Sequence, residues 1–106
     1  MSFYRVTTPQ HSFTLPFDTS ECSVIQVTYT QGTAQLVKEY DHGTLPSGMI
    51  LDEDVVIINF TQAETKAFKV GTVSAQVRVL TTGGKAYASK QFTVSVKAVN
   101  NDEVLA

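Results

Sequence analysis

Three consecutive carboxylates, Asp52, Glu53 and Asp54, are the densest charge in the sequence. A hard cation such as calcium needs several oxygens converging from one side. Consecutive residues of a strand or turn point in alternating directions, so these three do not converge, and no calcium-loop spacing surrounds them. His11 and His42 could ligate zinc or move a proton. They lie in different segments, and only the Asp41–His42 neighbours offer any ligand spacing. Both read as surface loop residues. Cys22 could act as a nucleophile, but no histidine follows it in a catalytic context. A small, half-buried apolar residue at a strand start explains it better. Being the single cysteine, it closes no intrachain disulfide. Serine and threonine are abundant, yet no G-x-S-x-G elbow holds one. The turn "TTGGK", Thr81 to Lys85, lacks the first glycine of a phosphate loop and runs from strand to strand. The expectation is a protein that is not an enzyme, with no catalytic residue, no metal and no cofactor.

Bulk composition narrows the partners. The 106 residues are 42% hydrophobic and 17% charged, which supports one domain with a core. Eight basic and ten acidic residues leave a formal charge of −2, with no Lys or Arg run. Neither nucleic acid nor a membrane surface is therefore an expected partner. No basic-then-apolar leader is seen, so synthesis in the cytoplasm is expected.

The elements that must position any site are mostly strands. In "HSFTLPF", residues 11–17, Phe13, Leu15 and Phe17 alternate with polar residues, and Pro16 marks an edge or an end. "SVIQVTYT", residues 23–30, puts Ile25, Val27 and Tyr29 on one face. "AQLVKEY" returns after a turn at Gly32, with Lys38 breaking the alternation between Leu36 and Tyr40. A loop spans residues 41–48, and "MILDED" holds a short edge strand. "VVIINF", residues 55–60, is apolar on both faces, so its outer side, with Val55 and Ile57, is a candidate interface. Val73, Ala75, Val77 and Val79 alternate with Ser74, Gln76 and Arg78. Gln76 and Arg78 form an outward polar pair that could pin the nearby corner or a partner. Residues 86–98 give the return strand, with Phe92, Val94, Val96 and Ala98 inward. About six or seven strands at spacings of roughly ten residues predict an all-β antiparallel sandwich, a small barrel being the alternative. Residues 1–10 read as an N-terminal arm, 11–99 as the sandwich, and 100–106 as a loose C-terminal tail.

One stretch departs from strand periodicity. In "NFTQAETKAFKVG", Asn59 to Gly71, Thr61 and Glu64 have capping-box spacing, and Glu64 sits at the positive end of the helix dipole. Phe60, Ala63, Ala67 and Phe68 predict a partly apolar face. So short a helix is unstable alone. It must be held by flanking strands, as a crossing from one sheet to the other.

Four pieces together, "FTLPFDTS", "FTQAETKAF", "VSAQVRVLTTGGKAYAS" and "NNDEVL", resemble the immunoglobulin-like N-terminal domain of phage baseplate upper proteins and related tail proteins of Gram-positive bacteria. The family's helix start tends to Leu and Glu where this chain has Phe60 and Ala63, and the capping pair Thr61 and Glu64 is unaffected. The resemblance implies an immunoglobulin-like sandwich with one short helix between the sheets. It implies a phage or prophage structural protein that is a virion component and docks onto tail or baseplate proteins, with homo-oligomerisation a further expectation. Residues Thr61, Gln62 and Glu64 would hold the corner. A carbohydrate-binding or adhesin-like module is the competing reading.

Overall fold

Alternating apolar residues do form strands here, and short segments that the pattern does not mark complete the sheets. The computed structural model describes residues Met1–Ala106. Its elements in chain order are β1 (Ser2–Tyr4), β2 (Gln10–Thr14), a 3₁₀ turn (Thr19–Glu21), β3 (Cys22–Gln31), β4 (Ala34–Asp41), β5 (Met49–Asp52) and β6 (Val55–Asn59). Helix α1 (Gln62–Lys66), β7 (Gly71–Thr81), β8 (Ala86–Ala88) and β9 (Phe92–Lys97) follow.

The large sheet has the order β1-β9-β7-β3-β4, with β8 continuing the ladder on β7, and the small sheet is β2-β6-β5. Every pairing is antiparallel except β1 with β9. This is the arrangement of an immunoglobulin-like sandwich. The core lies between the sheets. Ile25, Val27 and Tyr29 of β3 and Val73, Ala75 and Val77 of β7 meet Phe13, Val56 and Ile58 of the small sheet. Full burial of each such side chain stabilises the fold by roughly 1.5–3 kcal/mol. Alternation encodes this core directly, because a one-residue slip would turn every one of these side chains to solvent.

Several expectations are corrected. The strands number nine, not six or seven. Strand β1, with three residues, is too short for a periodicity to register, and β8 comes from a break in an expected strand. Residues 1–10 are no arm: β1 pairs with β9, and Phe3 is buried in the core. The strand expected over residues 11–17 stops at Thr14. The Leu15 amide donates instead to the Asp54 carbonyl at 2.7 Å, and Pro16 has no amide to continue a ladder. The return strand is broken in two. Leu80 faces Ala86 but Ala75 faces Phe92, a one-residue register shift absorbed at Ser89 to Gln91. Ser89 bridges the break, its Oγ accepting from the Val77 amide at 3.0 Å. Beyond the break, Val94 and Val96 turn inward as expected, but Ala98 is exposed.

Candidate functional site

Helix α1 is where the most polar chemistry converges. Thr61 is extended (φ −91, ψ 163), as an N-cap must be, and its Oγ1 accepts from the Glu64 amide at 3.2 Å. Glu64 Oε1 accepts from the Thr61 amide at 2.8 Å, closing the box. The other carboxylate oxygen, Oε2, takes an ion pair from Lys38 Nζ at 2.6 Å. Lys38 enters from β4 on the inward face, with only 8% of its side chain exposed, and donates also to the Ser47 carbonyl at 2.8 Å. The break in the β4 alternation is therefore a lysine sent inward to meet the helix cap. Burial alone would raise the Glu64 pKa. The Lys38 ammonium and the Thr61 amide outweigh it, and the carboxyl is held below its ordinary value.

The rest of the helix is held from outside. Thr65 is fully buried. Its Oγ1 accepts from the Thr7 amide at 3.0 Å and donates to the Thr7 carbonyl at 2.9 Å. A hydrogen-bonding threonine thus stands where an apolar staple residue would otherwise sit. Arg5 caps the other end, donating to the Phe68 carbonyl at 2.8 Å and the Lys66 carbonyl at 2.9 Å. Gln31 grips Lys69 by both main-chain groups, at 2.8 and 2.7 Å. Gln62 grips Leu105 in the same way, at 2.8 Å in each direction, and Arg5 pairs with Asp102 at 3.3 Å. Residues 100–106 carry no regular structure, but these contacts lay them along the helix. The buried face is Thr65 with Phe60 and Phe68, whereas Ala63 and Ala67 are exposed, contrary to expectation. The small alanines leave room at the surface, and the helix rolls its threonine inward where Thr7 can satisfy it.

His11 is not a surface loop residue either. It lies on β2, buried to 6% exposure among Phe3, Tyr29 and Phe60. Its Nδ1 pairs with the Tyr29 hydroxyl at 3.0 Å, while Nε2 has no partner. Desolvation lowers the His11 pKa and raises that of Tyr29, so the imidazole is neutral and enclosed. Cys22 is buried, and burial raises its thiol pKa too. His42 stands exposed beside Asp41 in the β4–β5 loop. No three His, Cys, Asp or Glu side chains gather as a metal would require.

The four interface candidates fall on opposite outer faces. Val55 and Ile57 lie on the outside of the small sheet, where Ile57 stands between Ser12 and Ile50, and Ile50 is 49% exposed. Gln76 and Arg78 lie on the outside of the large sheet. Here Glu39, Gln26 and Arg78 form one cross-strand row, and Val24 and Leu80 stand in the next. Gln26 donates to Glu39 at 3.2 Å, and Arg78 makes no ion pair. These residues and Ala86 line a hollow of about 350 Å³. Tyr87 also borders it, but its ring packs edge-on against Phe17 at 5.6 Å. Sequence alternation located both faces; the hollow depends on four strands in register and has no local signature.

No family model matches the chain, and no curated protein is similar to it in sequence. In structure the chain is similar to part of a candidate glycoside hydrolase from Bacteroides vulgatus, with a TM-score of 0.53 at 12% identity. That likeness covers 93% of this chain and 16% of the hydrolase, and extends to the fold alone. Murine CRIg aligns over 94% of this chain and 92% of its own, with a TM-score of 0.48 at 8% identity.

Proposed function

We propose that this chain is a non-enzymatic structural module of a phage tail or baseplate, working through protein–protein assembly. The family resemblance of its helical corner motivates the assignment. The observation that carries the assembly part is the outer face of the small sheet. Its central strand presents Val55 and Ile57 beside the half-exposed Ile50, an apolar strip rimmed by Ser12, Thr14 and Asp52. An apolar centre with a polar rim is what a protein interface requires.

The test is co-expression with the tail proteins encoded beside it, followed by size-exclusion chromatography with light scattering. A stoichiometric complex that Ile57→Lys disrupts, with the melting temperature of the free chain preserved, is the expected result. Neighbouring genes unrelated to a virion would overturn the phage assignment. A clear glycan-array hit that competes at the Glu39–Gln26–Arg78 row would favour the carbohydrate-binding alternative instead.

A further inference from the structure

The hollow on the large sheet and the segment laid along α1 have complementary chemistry. The hollow offers one unpaired guanidinium, Arg78, beside an apolar floor of Val24, Leu80 and Ala86. Glu39, at the far end of its row, is two strands from Arg78, roughly 9.6 Å. It is already engaged by Gln26. Residues 102–105 offer the converse. Asp102 is taken by Arg5, so Glu103 is the carboxylate left without a cation. Leu105, held only through its main chain, is 79% exposed, and Val104 is 49% exposed. The spacings also agree. Arg78 and Leu80 are two residues apart on one strand face, and Glu103 and Leu105 are two apart, about 6.8 Å when extended.

A chain cannot close this contact on itself. The hollow opens on the outer face of the large sheet, whereas α1, along which the segment lies, is met by Lys38 from the inward face of β4. The segment is anchored at the helical end by Gln62.

We infer that the segment Asp102–Leu105 of one copy docks in the hollow of a second copy, Glu103 on Arg78 and Leu105 on the Val24–Leu80 floor. The inference rests on the assembly reading given under the proposed function. Donor and acceptor surfaces differ, so the contact is heterologous and builds a ring or an open row of molecules.

The experiment uses the full chain. Sedimentation velocity over a concentration series is expected to show reversible mass growth. Arg78→Glu weakens it about fivefold or more, since reversal turns an attraction of order 1 kcal/mol into repulsion, and Leu105→Asp weakens it by a similar factor, since it sets a charge on the apolar floor. The double variant Arg78→Glu with Glu103→Arg is expected to restore association, which a general surface effect would not do. A synthetic peptide of residues 100–106 should shift the backbone amide resonances of Val24, Gln26, Arg78 and Leu80. A chain that stays monomeric throughout the series with no peptide shifts overturns the inference, as does growth indifferent to Arg78→Glu. Loss of self-association in Arg78→Glu with the tail-protein complex intact leaves the assembly reading standing. Failure of that complex in the wild-type chain strikes the reading itself.

Discussion

The chain crosses from the small sheet to the large sheet by way of a capped helical turn at two places, and the two crossings bear different loads. One joins β2 to β3 through Phe17-Asp18-Thr19-Ser20-Glu21; the other joins β6 to β7 through Phe60-Thr61-Gln62-Ala63-Glu64. Both close a capping box. Both bury one threonine that ties the turn to a neighbouring segment. Thr19 donates twice to the Glu53 carbonyl, from its amide and its hydroxyl, and Thr65 bonds to Thr7. The difference is the acid. Glu21 is exposed and answers only the Asp18 amide at 3.3 Å, whereas Glu64 also neutralises a buried lysine. The same local motif is a cap in one place and the counter-charge of the core in the other. What decides is the residue across from it.

The sharpest way to break this comparison is to delete each acid. Glu64→Ala leaves the Lys38 ammonium buried without a counter-charge, so unfolding free energy by denaturant titration is expected to fall by about 3 kcal/mol. Glu21→Ala is expected to cost less than about 1 kcal/mol. Equal losses would mean that the buried pair adds nothing to the cap. Adding Lys38→Met to Glu64→Gln should recover most of the loss, because removing both charges avoids stranding one.

Acid titration probes the α1 crossing next. The Glu64 pKa is lower folded than unfolded, so its contribution is present above its ordinary value of 4.5 and is lost as pH falls through the lowered folded value. Glu64→Gln should flatten that limb of the stability curve. An earlier loss belongs to His11. Its pKa is lowered in the fold, so the unfolded chain binds the extra proton and stability begins to fall below the ordinary value of 6.5. A wild-type curve flat between neutrality and pH 5, read by thermal melts, would show that the imidazole is not sealed as described. Loss of the cap acceptor should be the effect most alike at the two turns. Thr61→Ala removes one cap acceptor, for about 1 kcal/mol, and Asp18→Ala removes its counterpart, each with the fold retained in the circular dichroism spectrum.

What could be read from the sequence follows the range of each interaction. Thr61 and Glu64 are three residues apart, so their box is written locally. The inward rows of β3 and β7 follow from alternation alone. Lys38 meets Glu64 only after two sheets have packed, and its trace in sequence was a charge placed where β4 should be apolar. His11 shares parity with Phe13 and Leu15, so the alternation of that strand does place it inward. A histidine is a polar residue in that inward row, and the aromatic rings that enclose it come from other segments of the chain. Phe3 had no such signal, since three residues cannot establish a period. The interface candidates were found by parity, but parity cannot tell which sheet a face belongs to. Val55 and Ile57 therefore came out on the opposite side from Gln76 and Arg78.

Strand β1 has one more consequence. Ser2, Phe3 and Tyr4 pair with Ser95, Val96 and Lys97, the last strand of the sandwich. During synthesis on a ribosome, these residues emerge before every other strand of the sandwich and must wait for β9 before their partner exists. Closing so long a loop is the entropically costliest step in assembling this core. Phe3 and the Arg5 contacts with Phe68 and Lys66 therefore act as a latch that can close only once β9 exists.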